Sequence, residues 1–210
     1  MPMSGIIPLT ESTKSRLYLI SEVQIMKQLT FITGNKFKVL SAEIYSKPLG
    51  VELIGRDINC PEIQADTVEE VAIFSSQYAS EQIKMDTLKN DCGITIPALN
   101  GFPGAYTKYV DYTLGVEGIL ALMNHVRDRH AVFVECYALT EYGKGTKVFF
   151  SRTEGMIAEE AQGGFGTNWD KVFIPKGYSV PLACFDDDQR AKMWDGTGII
   201  EAAKYYASIG

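Results

Sequence analysis

The apolar run Leu29-Thr30-Phe31-Ile32 breaks at Thr33-Gly34-Asn35, a helical pattern follows from about Lys36 to Ser46, and a second strand-like run begins at Val51-Glu52-Leu53-Ile54. Strand, tight turn, helix and strand in that order make a βαβ-like opening and place the chain in the α/β class. The turn also has a chemical meaning. A helix start leaves backbone N–H groups unpaired and carries roughly half a positive charge from the aligned peptide dipoles, so it attracts phosphate. Thr33, Gly34, Asn35, Lys36 and Lys38 are therefore candidate anion-binding residues. A plain strand-to-helix turn with solvated lysines has the same local pattern, and the rest of the chain must separate the two.

The chain has 210 residues, 46% of them apolar, enough for one sizeable core arranged as a single domain or two small lobes. Its net charge of −6 argues against a nucleic acid polymer or an acidic membrane as partner. A polyanionic ligand must be met by local lysines, arginines and a metal, which a free nucleotide satisfies better than DNA. Cys60, Cys92, Cys136 and Cys184 form no C-x-x-C pair, and His125 and His130 lack zinc-ligand spacing, so free thiols in a reducing cytoplasm are expected. No apolar stretch approaches the roughly 20 residues of a membrane span. Residues 1–25 lack the uninterrupted apolar centre of a signal peptide and read as an N-terminal extension, with Met26 an alternative start and 26–210 a single α/β domain.

Further along, Thr67 and Glu70 form a capping box for a helix expected over Thr67 to Lys84. Residues 94–99 read as a short strand leading into the turn Asn100-Gly101-Phe102-Pro103-Gly104, and a helix is expected around Val116 to Val126. Ala131 to Thr140 and Lys147 to Thr153 read as an antiparallel hairpin joined by Glu141 to Gly145. Gly163-Gly164-Phe165-Gly166 is a loop, Val172-Phe173-Ile174 a short strand, and Gly198 to Ala207 a final helix.

Taken together, four separated segments resemble the inosine triphosphate pyrophosphatase family, from about Leu29 to the C-terminus. Thr33-Gly34-Asn35 with Lys38 is similar to its T-G-N-x-x-K motif, and Pro61-Glu62-Ile63-Gln64 to its E-x-Q site. Asn90-Asp91-Cys92-Gly93-Ile94 stands where the family has E-D-S-G-L, and Ala98 to Tyr106 is similar to A-L-x-G-x-P-G-x-Y, the most specific of the matches. The resemblance implies an elongated mixed β-sheet flanked by helices, with two lobes, a central ligand cleft and a homodimer. It implies hydrolysis of non-standard purine nucleoside triphosphates, such as those of inosine and xanthosine, to monophosphate and pyrophosphate. Magnesium, with manganese as a substitute, would be the cofactor.

On the same resemblance, Glu62 and Asp91 hold the metal and Asp91 also orients or deprotonates the attacking water. Lys38 and the Thr33-Gly34-Asn35 backbone clamp phosphate, joined by Lys36, by Lys108 in a Tyr-x-Lys pattern, and by Arg190, for which Lys192 is an equal candidate. Phe165-Gly166 followed by Trp169-Asp170 resembles the F-G-W-D base-recognition loop, with an aromatic face for stacking and Asp170 for the base edge.

Three departures limit the likeness. Asn90 replaces a glutamate beside Asp91, Thr167-Asn168 is inserted within the F-G-W-D loop, and the S-H-R motif has no match in Lys192 to Gly198, where Trp194, Asp195 and Gly196 stand. A site that reads a base through buried hydrogen bonds discriminates strongly, so the last change alters selectivity. Two alternatives to the hydrolase follow: a nucleotide-binding protein with little or no turnover, and a pyrophosphatase with changed base preference.

Overall fold

A computed structural model describes residues 26–209 of the chain; the N-terminal extension expected at 1–25 lies outside the described residues. In chain order the elements are β1 (Lys27–Ile32), α1 (Lys36–Ser46), β2 (Val51–Arg56), α2 (Val68–Ile83), β3 (Thr87–Thr95), β4 (Pro103–Gly104), α3 (Thr107–Leu122), β5 (His130–Glu141), β6 (Gly145–Ile157), β7 (Phe173–Pro175), α4 (Asp187–Ala191) and α5 (Thr197–Ser208). The strands form one seven-stranded sheet in the order β2-β1-β3-β5-β6-β7, with β4 on β3. β1 is parallel to both β2 and β3, and the remaining pairs are antiparallel. The expected mixed sheet flanked by helices is what the chain forms.

β3 carries the organising feature. One of its edges pairs with β5 along its whole length, from Thr87↔Thr140 to Thr95↔Val132. The other edge is shared: β1 takes Thr87 and Leu88, β4 takes Ile94 and Thr95, and the stretch between has no strand partner. The sheet therefore forks. Gly93 sits where β4 closes in, because a Cβ built there would lie 2.3 Å from the Gly104 carbonyl oxygen.

Two hydrophobic cores flank the fork. The first gathers Leu29, Phe31, Val51 and Leu53 with Leu88, Leu139 and the α5 residues Ile199 and Tyr206. The second gathers Ile94, Ile119, Met123, Phe133, Trp169 and Phe173. β3 and β5 serve both, Leu88 and Leu139 on one side, Ile94 and Phe133 on the other. α2 covers the opposite face of the sheet, where Val68 and Ala72 pack on Cys136 and Ala138. Its start is fixed by the expected capping box: Thr67 Oγ1 accepts from the Glu70 amide (3.2 Å) and Glu70 Oε2 from the Thr67 amide (3.1 Å).

Two expectations shift. The strand read at 94–99 is the tail of β3, and Pro97–Leu99 forms a 3-10 turn. Lys89, Asn90 and Asp91 interrupt the apolar pattern of β3 because its middle lies at the fork. The helix read at Val116 to Val126 begins at Thr107 and is kinked at Gly115 (φ 61°, ψ −171°). Its first half presents Tyr109 and Tyr112 outward, 56% and 67% exposed, so apolar spacing does not reveal it.

Candidate active site at the fork of the sheet

The turn after β1 lies at the fork. Asn35 caps α1, its side-chain oxygen accepting from the amides of Phe37 (2.9 Å) and Lys38 (3.4 Å), while Thr33 Oγ1 accepts from the Asn35 amide (3.0 Å). Gly34 lets Asp57 approach the turn: a Cβ there would stand 3.0 Å from Asp57 Oδ2, the end of an exposed side chain. One turn into α1, Lys38 Nζ reaches over the open edge of β3 and donates to the Asn90 carbonyl (3.1 Å).

A cavity of about 880 Å³ opens here, and Thr33, Gly34, Asn35, Lys38, Glu62, Asp91 and Lys108 all line it. The two acids expected to hold a metal, 29 residues apart in sequence numbering, thus face one space with the lysine and the phosphate turn. Lys36 is exposed and lies outside this lining. Glu62 is exposed and accepts from Lys108 Nζ at 2.5 Å, a contact that holds its carboxyl below its ordinary range. Asp91 is half-buried; burial pushes its carboxyl up, against the pull of Lys38, Lys89 and Lys108. Lys89, on the same face of β3, is pushed down by burial and by Lys38.

The donor set suits a hard divalent cation. Among the described residues no three His, Cys, Asp or Glu side chains cluster as a metal cage. Magnesium does not need one: one or two carboxylates with water and phosphate oxygens complete its shell, and Glu62 and Asp91 offer those carboxylates.

The residues expected to meet the base lie elsewhere. Trp169 is 2% exposed, belongs to the second core and donates Nε1–H to the Thr107 carbonyl (3.0 Å), so its ring is packed rather than presented for stacking. Asp170 and Arg190 are buried together, Oδ1 to Nη1 at 3.2 Å, and Arg190 also meets Asp187 at 2.6 Å. Asp170 Oδ2 accepts from the Thr167 amide and hydroxyl (2.6 and 2.8 Å), so the inserted Thr167 is spent on this knot. Gly166 packs against it, φ +74°, where a Cβ would stand 2.3 Å from Arg190 Nη1. The Arg190 guanidinium lies 4.6 Å over the Phe37 ring, which ties the knot to the first turn of α1. Phe165 is 48% exposed and outside the cavity lining. Trp194, in place of the S-H-R motif, packs edge-on against Phe133 with ring centroids 5.0 Å apart.

Residues 29–194 match the model of the Ham1 family, which covers well over half of the chain. The chain belongs to the Ham1 family. A relative from Thermococcus kodakarensis named dITP/XTP pyrophosphatase is 36% identical over 167 residues, 79% of this chain and 89% of that protein. A second of that name, from Methanopyrus kandleri, is 34% identical over 180 residues, 85% and 96% of the two chains. These matches bear out the resemblance read from the motifs. The fold agrees too: a HAM1 protein from Coxiella burnetii superposes with a TM-score of 0.73 at 22% identity, covering 88% of this chain and all of that one.

Within this Ham1-family site the sequence reading missed Asp57, Lys89, Tyr106, Tyr109 and Tyr112, which line the cavity, and Glu135 behind it. Lys89 was open to discovery, being two residues from Asp91 and so on the same face once residues 87–95 are read as a strand. Glu135 had a signal as well, as a lone acid inside the apolar run Ala131 to Thr140. Burial pushes it up to about 7, against Lys38 and the hydrogen bonds from Asn90 and Tyr137.

Proposed function

We propose that the chain is a nucleoside triphosphate pyrophosphatase that removes non-standard purine triphosphates, releasing monophosphate and pyrophosphate. The observation that carries this reading is the convergence of Glu62, Asp91, Lys38 and the Thr33-Gly34-Asn35 turn on one cavity, together with relatives named dITP/XTP pyrophosphatase. Bound magnesium, or manganese in its place, would neutralise phosphate charge and act as Lewis acid. Glu62 and Asp91 would hold it. Lys38 and Lys108 would bind phosphate oxygens, Lys108 leaving its pairing with Glu62. Lys36, at the mouth of the turn, and the Thr33-Gly34-Asn35 backbone would extend that clamp.

Asp91 would orient water for attack on the α-phosphorus and take one of its protons as the new P–O bond forms. The bond to the β-phosphate bridge breaks, and its electron pair leaves with pyrophosphate. Phe165, exposed beside rather than within the cavity lining, would offer an aromatic face to the purine, as would the exposed Tyr106, Tyr109 and Tyr112 that line it. Gly166, Trp169, Asp170 and Arg190 would shape that end of the site from within rather than touch the base. We place the protein in the cytoplasm as a homodimer: four free thiols support the first, and the exposed Leu114 and Leu122 of α3, outside the cavity, the second. Among the described residues no helix is long and apolar enough to cross a membrane.

The test is pyrophosphate release from ITP, dITP, XTP and the ordinary triphosphates with magnesium. Release should favour the non-standard purines and fall by on the order of a thousandfold or more in Asp91→Ala, equivalent to a barrier increase of about 4 kcal/mol. Nucleotide binding by the folded wild type with no product from any substrate would move the reading to a binding protein without turnover.

A further inference from the structure

The proposed chemistry makes no use of Glu135, a carboxylate buried in the middle of β5 at 8% exposure. An ionised group in such a place is costly unless it is well partnered. Its Oε1 accepts from Asn90 Nδ2 (3.2 Å) and from the Tyr137 hydroxyl (3.3 Å). Asn90 is thus used twice: its side chain binds Glu135 on the inner face of β3, and its main-chain carbonyl binds Lys38 at the open edge of the fork. The Asn90 amide is turned with Nδ2 toward the carboxylate while its buried Oδ1 has no partner. With Glu135 ionised, the reverse orientation would set two oxygens against each other. The charge of Lys38 also opposes the rise that burial gives the Glu135 carboxyl.

Position 90 is where the pyrophosphatase motif carries a glutamate, and this chain has the acid one strand away. Two buried carboxylates at 90 and 135 would repel, so an amide at one position and an acid at the other form a compatible pair. We propose that Glu135 is a positioning residue for Lys38: held by Asn90 and Tyr137, it steadies the ammonium over the open edge of β3 and supplies from β5 the negative charge absent at position 90. This rests on Lys38 binding the triphosphate, as proposed above.

The experiment is steady-state kinetics of the full chain on ITP with magnesium at about pH 8.5, where a carboxyl that titrates at about 7 is ionised, for wild type, Glu135→Gln, Lys38→Ala, the double variant, and Asn90→Glu combined with Glu135→Gln. Glu135→Gln should raise KM about tenfold while changing kcat less than about threefold. In the Lys38→Ala background it should add less than about twofold, the non-additivity expected of residues acting as a unit. Returning the acid to position 90 should recover most of the lost affinity. A Glu135→Gln KM within about twofold of wild type, or a full penalty without Lys38, overturns the proposal. Glu135→Asp, which keeps the charge but withdraws it, should fall between wild type and Glu135→Gln and serves if the latter does not fold. If wild type releases no product, the pyrophosphatase reading fails by itself. Calorimetry with a non-hydrolysable ITP analogue then decides this one: Glu135→Gln must weaken binding, and only when Lys38 is present.

Discussion

Asp170 and Arg190 show how the same residue types can hold a fold or read a ligand, with burial deciding between them. Their side chains are 8% and 5% exposed and 3.2 Å apart. Asp170→Asn would leave Arg190 with Asp187 alone, whose side chain is 61% exposed. Urea unfolding should show a loss of about 3 kcal/mol, the cost of stranding a buried charge; a loss under about 1 kcal/mol would return Asp170 to the ligand. Glu135 makes a separate prediction for pH. Its folded carboxyl titrates at about 7 against 4.5 for the free group. As pH rises through that window the unfolded chain releases the proton and the folded chain keeps it, so stability is fully present below 4.5 and declines by about 3 kcal/mol toward pH 8. Lys38 and Tyr45 from α1, Cys92 from β3, Tyr137 from β5 and Asp195 before α5 surround the group. Burial raises the Tyr45, Cys92 and Tyr137 groups, so they stay neutral through that range. Urea titrations at pH 5 and pH 8 should show this slope in wild type and a much flatter one in Glu135→Gln.

At the scale of elements, the fork depends on β4 reaching β3 beside Gly93. A Gly93→Ala methyl would meet the Gly104 carbonyl and carbon at 2.3 and 2.9 Å, both backbone atoms without rotamer freedom. Overpacking of this kind costs about 1–3 kcal/mol and should appear in urea unfolding. Pyrophosphate release should fall with it, because the cavity wall moves; full activity in Gly93→Ala would mean that the β3–β4 contact does not shape the site. The elements that sequence made legible are those whose pattern burial dictates: β1, α1 and β2, the capped α2, the β5–β6 hairpin and α5. β3 was read too late because Lys89, Asn90 and Asp91 serve the cavity and spoil its alternation. The start of α3 was hidden by tyrosines facing outward, and α4 is too short, Asp187–Ala191, to show a period. The site divided in the same way. Thr33 to Lys38, Glu62, Asp91 and Lys108 were visible as motifs, whereas the fates of Trp169 and Asp170 depend on which face of a loop is buried, and that of Arg190 on which face of the short α4 is, and spacing encodes neither.

Across the whole molecule, the proposed nucleotide site lies between two cores, with Lys38 reaching from the first to a strand that serves both. A ligand bound there should stabilise the entire chain. At a concentration of about 100 Kd, a non-hydrolysable triphosphate should add about 2.7 kcal/mol and raise Tm, and Lys38→Ala should largely remove that rise at the same concentration. An unchanged Tm in wild type would mean that the folded chain does not bind the triphosphate, and a rise undiminished in Lys38→Ala would place the ligand elsewhere. A net charge of −6 gives no general attraction for a polyanion, so recognition must come from the local lysines. Because β3 and β5 run unbroken from one core into the other, a continuous strand pair rather than a loop joins the halves. Pleat and twist of that pair set the mutual angle of the halves. Admission and release of nucleotide then fall to movable side chains at the rim, the Glu62–Lys108 clasp first among them.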